Sequence, residues 1–344
     1  MKFFFTLLIF TSLLYSSEKI ILGQAPWAFE FLPQAIALPQ GHHPNVQDYH
    51  GVAVDSKGRV YIGYYSKKAT KETRAVARFS YHPDSDQPFR FDRFLGDSTW
   101  NDHRLHGLNI INLANGEERL LIVYNKQKVI LCDLEGNIDV PNGFKILNKN
   151  FKKASDGNYS PKSKNIAVYD GYASNKLYEL NLKDGHEHGH SHGAKGAGWN
   201  QTNTAHGVGL DPKGNYVIAD RGNQRLLWRD PDCKALVSKK GEFHPLELKT
   251  PGLEVCNVQF QGDKAVLPCL NARLAFLGRS EKEECGWEIA STFKMPRELI
   301  AQGYDGIHDA NFSVDGKYVI VAVWQRRAKT QPRLFVLKKL DTQN

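Results

Sequence analysis

The apolar residues of this chain fall into short alternating runs broken at glycine-bearing turns, and the same arrangement recurs along its length. Residues 50–65 read HGVAVDSKGRVYIGYY: an alternating segment, a polar turn at SKGR, then a second apolar segment. The arrangement returns in 106–124 as HGLNIINLANGEERLLIVY, in 206–228 as HGVGLDPKGNYVIADRGNQRLLW, and in 308–324 as HDANFSVDGKYVIVAVW. Period-two alternation predicts half-buried strands, and the glycine-containing breaks predict hairpins between them. No long amphipathic helical period interrupts the series. The chain is expected to be all-β.

A histidine opens each of these phrases: His50, His106, His206 and His308. From His106 to His206 is two steps of about fifty residues, a period that belongs to propeller blades. The midpoint, Asp156, opens SDGNYSPKSKNIAVYDGYASNKLYELN, and a further step reaches Cys256 in EVCNVQFQGDKAVLPCLNARLAFLG. Six such units fill residues 45–340, after a lead-in at 18–44, and predict a six-bladed β-propeller. An array of β-sandwiches is the alternative. The first strand of a blade lines the central axis, so a residue at its start faces the channel mouth. Histidines repeated there can converge. His106, His206 and His308 stand on alternate blades, and three neutral imidazoles with an open fourth position suit catalytic Zn²⁺. His50 is a blade marker with no assigned ligand role.

Composition narrows the setting. In 344 residues, 41% are apolar and 24% charged, the balance of a soluble globular protein. The +8 charge is spread along the whole chain and reads as a solvated basic surface, with an anionic ligand or envelope surface as the alternative; without a nucleic-acid-binding motif no nucleic-acid partner is expected. Residues 1–17 have a basic start, the apolar run FFFTLLIFTSLLY and small residues, the layout of a signal peptide. The mature chain is therefore expected to be secreted or periplasmic, with no stable membrane span. In an exported protein the cysteines can oxidise. Counting outward from a hairpin turn at Gly262-Asp263 sets Cys256 opposite Cys269 and predicts a disulfide there. The segment DGHEHGHSHG offers His186, His188, His190 and His192 as an accessory metal-capture loop. Sequons occur at Asn158, Asn200 and Asn311.

Two resemblances sharpen these expectations. The spacing D-x-x-G-x-x-x-x-A-D-x-x-N-x-R, from Asp211 to Arg225, resembles the NHL repeat of β-propellers. The phrases LHGL at His106, AHGVGLDPKGNYVIADRGNQRL at His206, IHDANFSVDGKYVIV at His308, and the DGY ending at Tyr172 resemble the catalytic domain of peptidyl-α-hydroxyglycine α-amidating lyase. That resemblance implies a six-bladed NHL-like propeller with zinc on His106, His206 and His308, and Tyr172 as the catalytic base. It implies a catalytic role for Asp309, or a calcium site shared by Asp309 and the Leu108 carbonyl. The implied reaction cleaves a carbinolamide C–N bond in a peptide-like or small-molecule substrate, giving an amide and a glyoxylate-like aldehyde. The family's blade-1 arginine aligns near Tyr65, which leaves Lys67, Lys68 or Arg74 to supply the cation. Two other readings stand beside this one. One is a non-catalytic NHL propeller binding peptide, protein or glycan. The other is a calcium-dependent propeller lactonase, whose axis normally carries Glu, Asn and Asp rather than histidine.

Overall fold

The computed structural model describes residues 19–39, 46–66, 75–101, 104–187, 191–324 and 333–341. The expected signal segment, together with Lys67, Lys68, Arg74, His188 and His190, lies outside the described residues. Six antiparallel sheets succeed one another in chain order, each beginning with the strand that carries the repeat phrase. The chain is an all-β, six-bladed β-propeller. Blade 1 runs Val46–Val54, Val60–Ser66, Val76–Tyr81 and Phe89–Leu95, and blades 2, 4 and 5 repeat this four-strand meander. Blade 3 has three strands, Asp156–Ser160, Asn165–Tyr169 and Leu177–Asn181. Its outer edge is made by bridges from Glu187 to Leu180 and from His192 to Leu177. Glu187 and His192, from the two sides of the histidine-rich segment, thus pair where the other blades have a fourth strand.

Blade 6 closes the ring. Its inner strands Ile307–Phe312, Tyr318–Val323 and Arg333–Lys339 are completed by Phe29–Leu32 and Ile21–Leu22 from the other end of the chain. The lead-in segment is therefore the outer part of a blade. Alternation along each strand serves two interfaces at once. In blade 6, Ile320 and Val336 pack against Val52, Ile62 and Phe79 of blade 1. Val319, Val321 and Phe335 face the other way, onto Val266 and Phe276 of blade 5. The core is thus six wedges between blades rather than one central mass. Among the described residues the only α-helix is Arg297–Ala301, and no helix is long and apolar enough to cross a membrane.

The axial strands share an irregularity. Pairing between the first two strands slips by one residue around His50, His106, His206 and His308. A bulge re-aims the side chain it carries, and here it turns the imidazoles toward the axis. The same slip corrects the expected disulfide. Gln261 does stand opposite Lys264, but farther along Cys269 faces Val255, and the Cys256 N–H donates to the Pro268 carbonyl at 2.8 Å. All five cysteines are free. Two of the sequons also have structural roles: Asn158 is buried, and Asn158 and Asn311 both bond backbone carbonyls of the next blade.

Candidate functional site

Hydrogen bonds between neighbouring blades define which residues are equivalent. Nδ1 of His106 meets the Ser155 carbonyl at 2.6 Å, Nδ1 of His206 meets the Cys256 carbonyl at 2.7 Å, and Nδ1 of His308 meets the His50 carbonyl at 2.9 Å. The axial ring is therefore His50, His106, Ser155, His206, Cys256 and His308. Blade 3 contributes Ser155 at this level, and Asp156 belongs one step deeper. That deeper layer is Gly51, Gly107, Asp156, Gly207, Asn257 and Asp309. Glycine follows histidine because the next blade fills the space. A methyl group at Gly107 would strike Asp156, and one at Gly207 would strike Asn257.

The four rings cluster tightly. His50 and His308 have centroids 4.2 Å apart, and His50 and His106 are separated by 5.0 Å. His206 lies 4.7 Å from both His106 and His308. Donor atoms of His50, His106 and His308 all fall within 4.8 Å of one another. The rings of the expected trio, His106, His206 and His308, stand 4.7–4.8 Å apart, but the donor atoms that converge belong to His50, His106 and His308, so His50 takes the place expected of His206. Burial holds all four imidazoles neutral: His106 is pushed down to about 3, and the others well below their ordinary value.

The donor set fits a metal ion. A neutral imidazole giving Nδ1–H to a carbonyl presents the lone pair of Nε2. For His206 that Nε2 is buried without a hydrogen-bond partner. An unsatisfied buried acceptor costs about 1–3 kcal/mol, and a cation would remove the deficit. Three histidines here could hold a metal.

Tyr172 reaches the same cluster. Its hydroxyl lies 3.1 Å from His106 Nε2. With His106 Nδ1–H committed to Ser155, the phenol donates that bond. Burial pushes the phenol up to about 12, with Arg221 pulling in the opposite direction. The turn that presents Tyr172 is built on Asp170, whose carboxylate accepts the backbone N–H groups of Lys152, Lys153 and Ser174.

Asp309 has a different environment. Its oxygens accept from Val52 N at 2.7 Å, Ala310 N at 2.9 Å and Asn257 Nδ2 at 2.9 Å. These bonds fasten blade 6 to blades 1 and 5. Burial first, then the nearby Asp156 charge, raises its carboxyl well above the ordinary range. Leu108, paired with it for calcium in the sequence reading, is buried with its side chain against Gly51. His186 is exposed, and His192 bonds Glu179 at 2.7 Å, both at the outer edge of blade 3.

Above the cluster opens a pocket of about 350 Å³. Arg104, Lys153 and Arg221 line it with Tyr172, Asn125 and Trp324. Arg221 lies in the segment DRGNQR that ends the blade-4 repeat spacing. Within DRGNQR, the Asp220 carboxylate accepts from Asn223 Nδ2 and Arg225 Nε, both at 2.8 Å. Those residues lock the turn and leave Arg221 to reach inward. Its guanidinium sits 5.7 Å from the Tyr172 ring and donates toward Cys256 Sγ at 3.6 Å. Arg104, anchored by Asp48 at 3.0 Å, stands over the Tyr65 ring. Tyr65, the position aligned with the family's blade-1 arginine, is thus faced by an arginine from the start of blade 2. No pattern within either segment marked these cations as neighbours.

Known structures share the architecture at low identity. Streptogramin B lyase aligns with a TM-score of 0.52 at 10% identity, over 90% of this chain and 97% of that one. The PQQ-bound aldose sugar dehydrogenase of Streptomyces coelicolor gives 0.52 at 10% identity, over 85% and 94%. U3-55K gives 0.53 at 9% identity, over 92% and 99%. These likenesses concern the fold. No family model matches the chain, and no curated protein matches its sequence.

Proposed function

We propose that the protein is an exported zinc-dependent lyase that cleaves a carbinolamide C–N bond in an anionic, peptide-like substrate. The observation that carries this reading is the junction of a neutral histidine cluster, one phenol and two arginines in a single pocket. When bound, zinc would supply Lewis-acid polarisation of the substrate's hydroxyl oxygen. His106 and His308 would hold it, with His50 and His206 beside them as further donors.

The remaining work belongs to side chains. Arg221 and Arg104 receive the substrate carboxylate, since guanidinium groups match its two oxygens. Tyr172 Oη removes the carbinol proton and returns it to the departing amide nitrogen. The O–H bond breaks as the carbonyl forms, the C–N bond breaks, and the nitrogen keeps the electron pair and gains the proton. Two cations near the phenol ease its ionisation, which burial alone opposes. Trp324 and Leu270 narrow the pocket against bulk water.

The test is glyoxylate release from a peptide ending in α-hydroxyglycine, with metal content measured on the same preparation. About one zinc per chain and activity lost in His206→Ala support the proposal. Full activity in that variant, or no release by a zinc-loaded protein, overturns it. The Tyr172–His106 bond favours a second reading, in which the pocket binds a small anion without metal and catalyses nothing. Tight anion binding by chelator-treated protein, without turnover after zinc is restored, would select it.

A further inference from the structure

The histidines occupy one end of the axis. At the other end the inner strands and the turns that follow them enclose a larger cavity, of about 460 Å³. Three residues beyond the histidine layer, the inner strands carry Ala53, Asn109, Asn158, Gly209, Gln259 and Asn311. Four of the six blades thus present a carboxamide at one level. Across the axis, from blade 5 to blade 2, Gln259 Nε2 donates to Asn109 Oδ1 at 3.0 Å. Asn109 in turn donates to Asp156 at 3.0 Å and to the Gly157 carbonyl at 2.9 Å. This cross-axis chain lies between the two cavities.

The other two amides are held but not exhausted. Asn158 gives Nδ2 to the Val208 carbonyl at 3.0 Å and accepts from Tyr159 N. Asn311 gives Nδ2 to the Val52 carbonyl at 3.4 Å and accepts from Phe312 N. A carboxamide has two donor hydrogens and two acceptor lone pairs, so each retains one of both kinds. Among the described residues, the charged side chains lining the cavity are Asp55, paired with Arg59 at 2.6 Å, and Glu118; no lysine, arginine or histidine lines it. Phe260, Phe312 and Val314 add apolar surface.

We propose that this mouth of the channel binds a neutral, polyhydroxylated ligand of mono- or disaccharide size. Hydroxyl groups donate and accept, as amides do; Asp55 is taken up by Arg59, Tyr61 and two backbone N–H groups, whereas Glu118, which accepts from Ser56, keeps lone pairs for hydroxyl hydrogens and disfavours an anion. The apolar side chains suit the C–H faces of a sugar ring, and the volume lies in the range of small-ligand sites. The ligand chemistry is opposite to that of the cationic histidine pocket, so this site does not rest on the lyase reading.

The experiment is saturation-transfer NMR followed by calorimetry on the full-length protein. The probes are glucose, galactose, mannose and maltose, with glucose 6-phosphate as the charged comparator. Val314→Trp fills the mouth from a side chain that is 45% exposed, so it leaves the core intact. Gln259→Leu removes one amide of the girdle. The expected result is saturable binding of at least one neutral sugar, weakened tenfold or more in both variants, with glucose 6-phosphate bound more weakly. Binding of none of the neutral sugars overturns the proposal. So does binding that survives both variants, or a phosphorylated sugar bound as well as its neutral parent. Glyoxylate release should be the same in Val314→Trp as in the parent protein.

Discussion

At the scale of single residues, the axial histidines are made ligand-like by their surroundings. Burial removes the charge, and in His106, His206 and His308 a neighbouring carbonyl fixes Nδ1 and makes Nε2 the acceptor. His206 is the clearest instance, because its Nε2 has no hydrogen-bond partner. His206→Ala should weaken zinc retention by well over tenfold in chelator competition, whereas His186→Ala, at the outer edge of blade 3, should leave it unchanged. Tyr172→Phe removes one oxygen and should lower turnover by about 10²- to 10⁴-fold, with zinc content unaltered. Loss of zinc in that variant would make Tyr172 a structural partner of His106 instead. Arg221→Met is expected to raise KM for a carboxylate substrate by about 10- to 100-fold, the worth of a charge-assisted hydrogen bond. The same substitution should barely affect an amidated analogue.

At the scale of elements, the one-residue slip in the four histidine-bearing axial strands, repeated toward the start of blade 5, decides more than any single side chain. It turns the histidines inward, and it separates Cys256 from Cys269 although the hairpin turn between them lies where the sequence put it. With five free cysteines, the thermal midpoint should be the same with and without a reductant. A midpoint that falls on reduction would restore the disulfide. Contact between blades leaves as little freedom. Gly107→Ala sets a methyl group against Asp156 and should destabilise by about 1–3 kcal/mol in urea unfolding. Gly278→Ala is the control, because its added methyl meets only Ala290 Cβ at an ordinary 3.4 Å. The turn DRGNQR shows how local spacing was legible while its use was not. Asp220, Asn223 and Arg225 hold one another within six residues, but Arg221 acquires its role from Tyr172 and Cys256, on two other blades.

For the molecule as a whole, the buried titratable groups make stability depend on pH. Four neutral histidines have folded values below their ordinary 6.5, so the stability they contribute is present above that pH and lost as pH falls. Asp156, raised to about 7 by burial, and Asp220 and Asp309, also raised by burial, act in the opposite sense and gain as pH falls toward 4. Below pH 6.5 the four histidines still outnumber the three carboxylates raised by burial, Asp156, Asp220 and Asp309. Each uncompensated proton is worth about 1.4 kcal/mol per pH unit. Metal-free protein should therefore melt at a lower temperature at pH 5 than at pH 7, as calorimetry would record. An unchanged or higher midpoint would mean that these imidazoles are not neutral in the folded state.

The sequence by itself determined the blade count, the all-β class and the level of the axis at which the histidines stand. A fifty-residue period and period-two alternation are local regularities, and repeated blades translate them directly into position. Only the tertiary structure decided that the lead-in completes blade 6, that Ser155 rather than Asp156 takes the third axial place, and that His50 belongs with the cluster. It alone brought Arg104 and Arg221 to Tyr172 and set an amide girdle at the far mouth. Those outcomes depend on ring closure and on one-residue bulges. Both act between segments far apart in the chain, where no local spacing can record them.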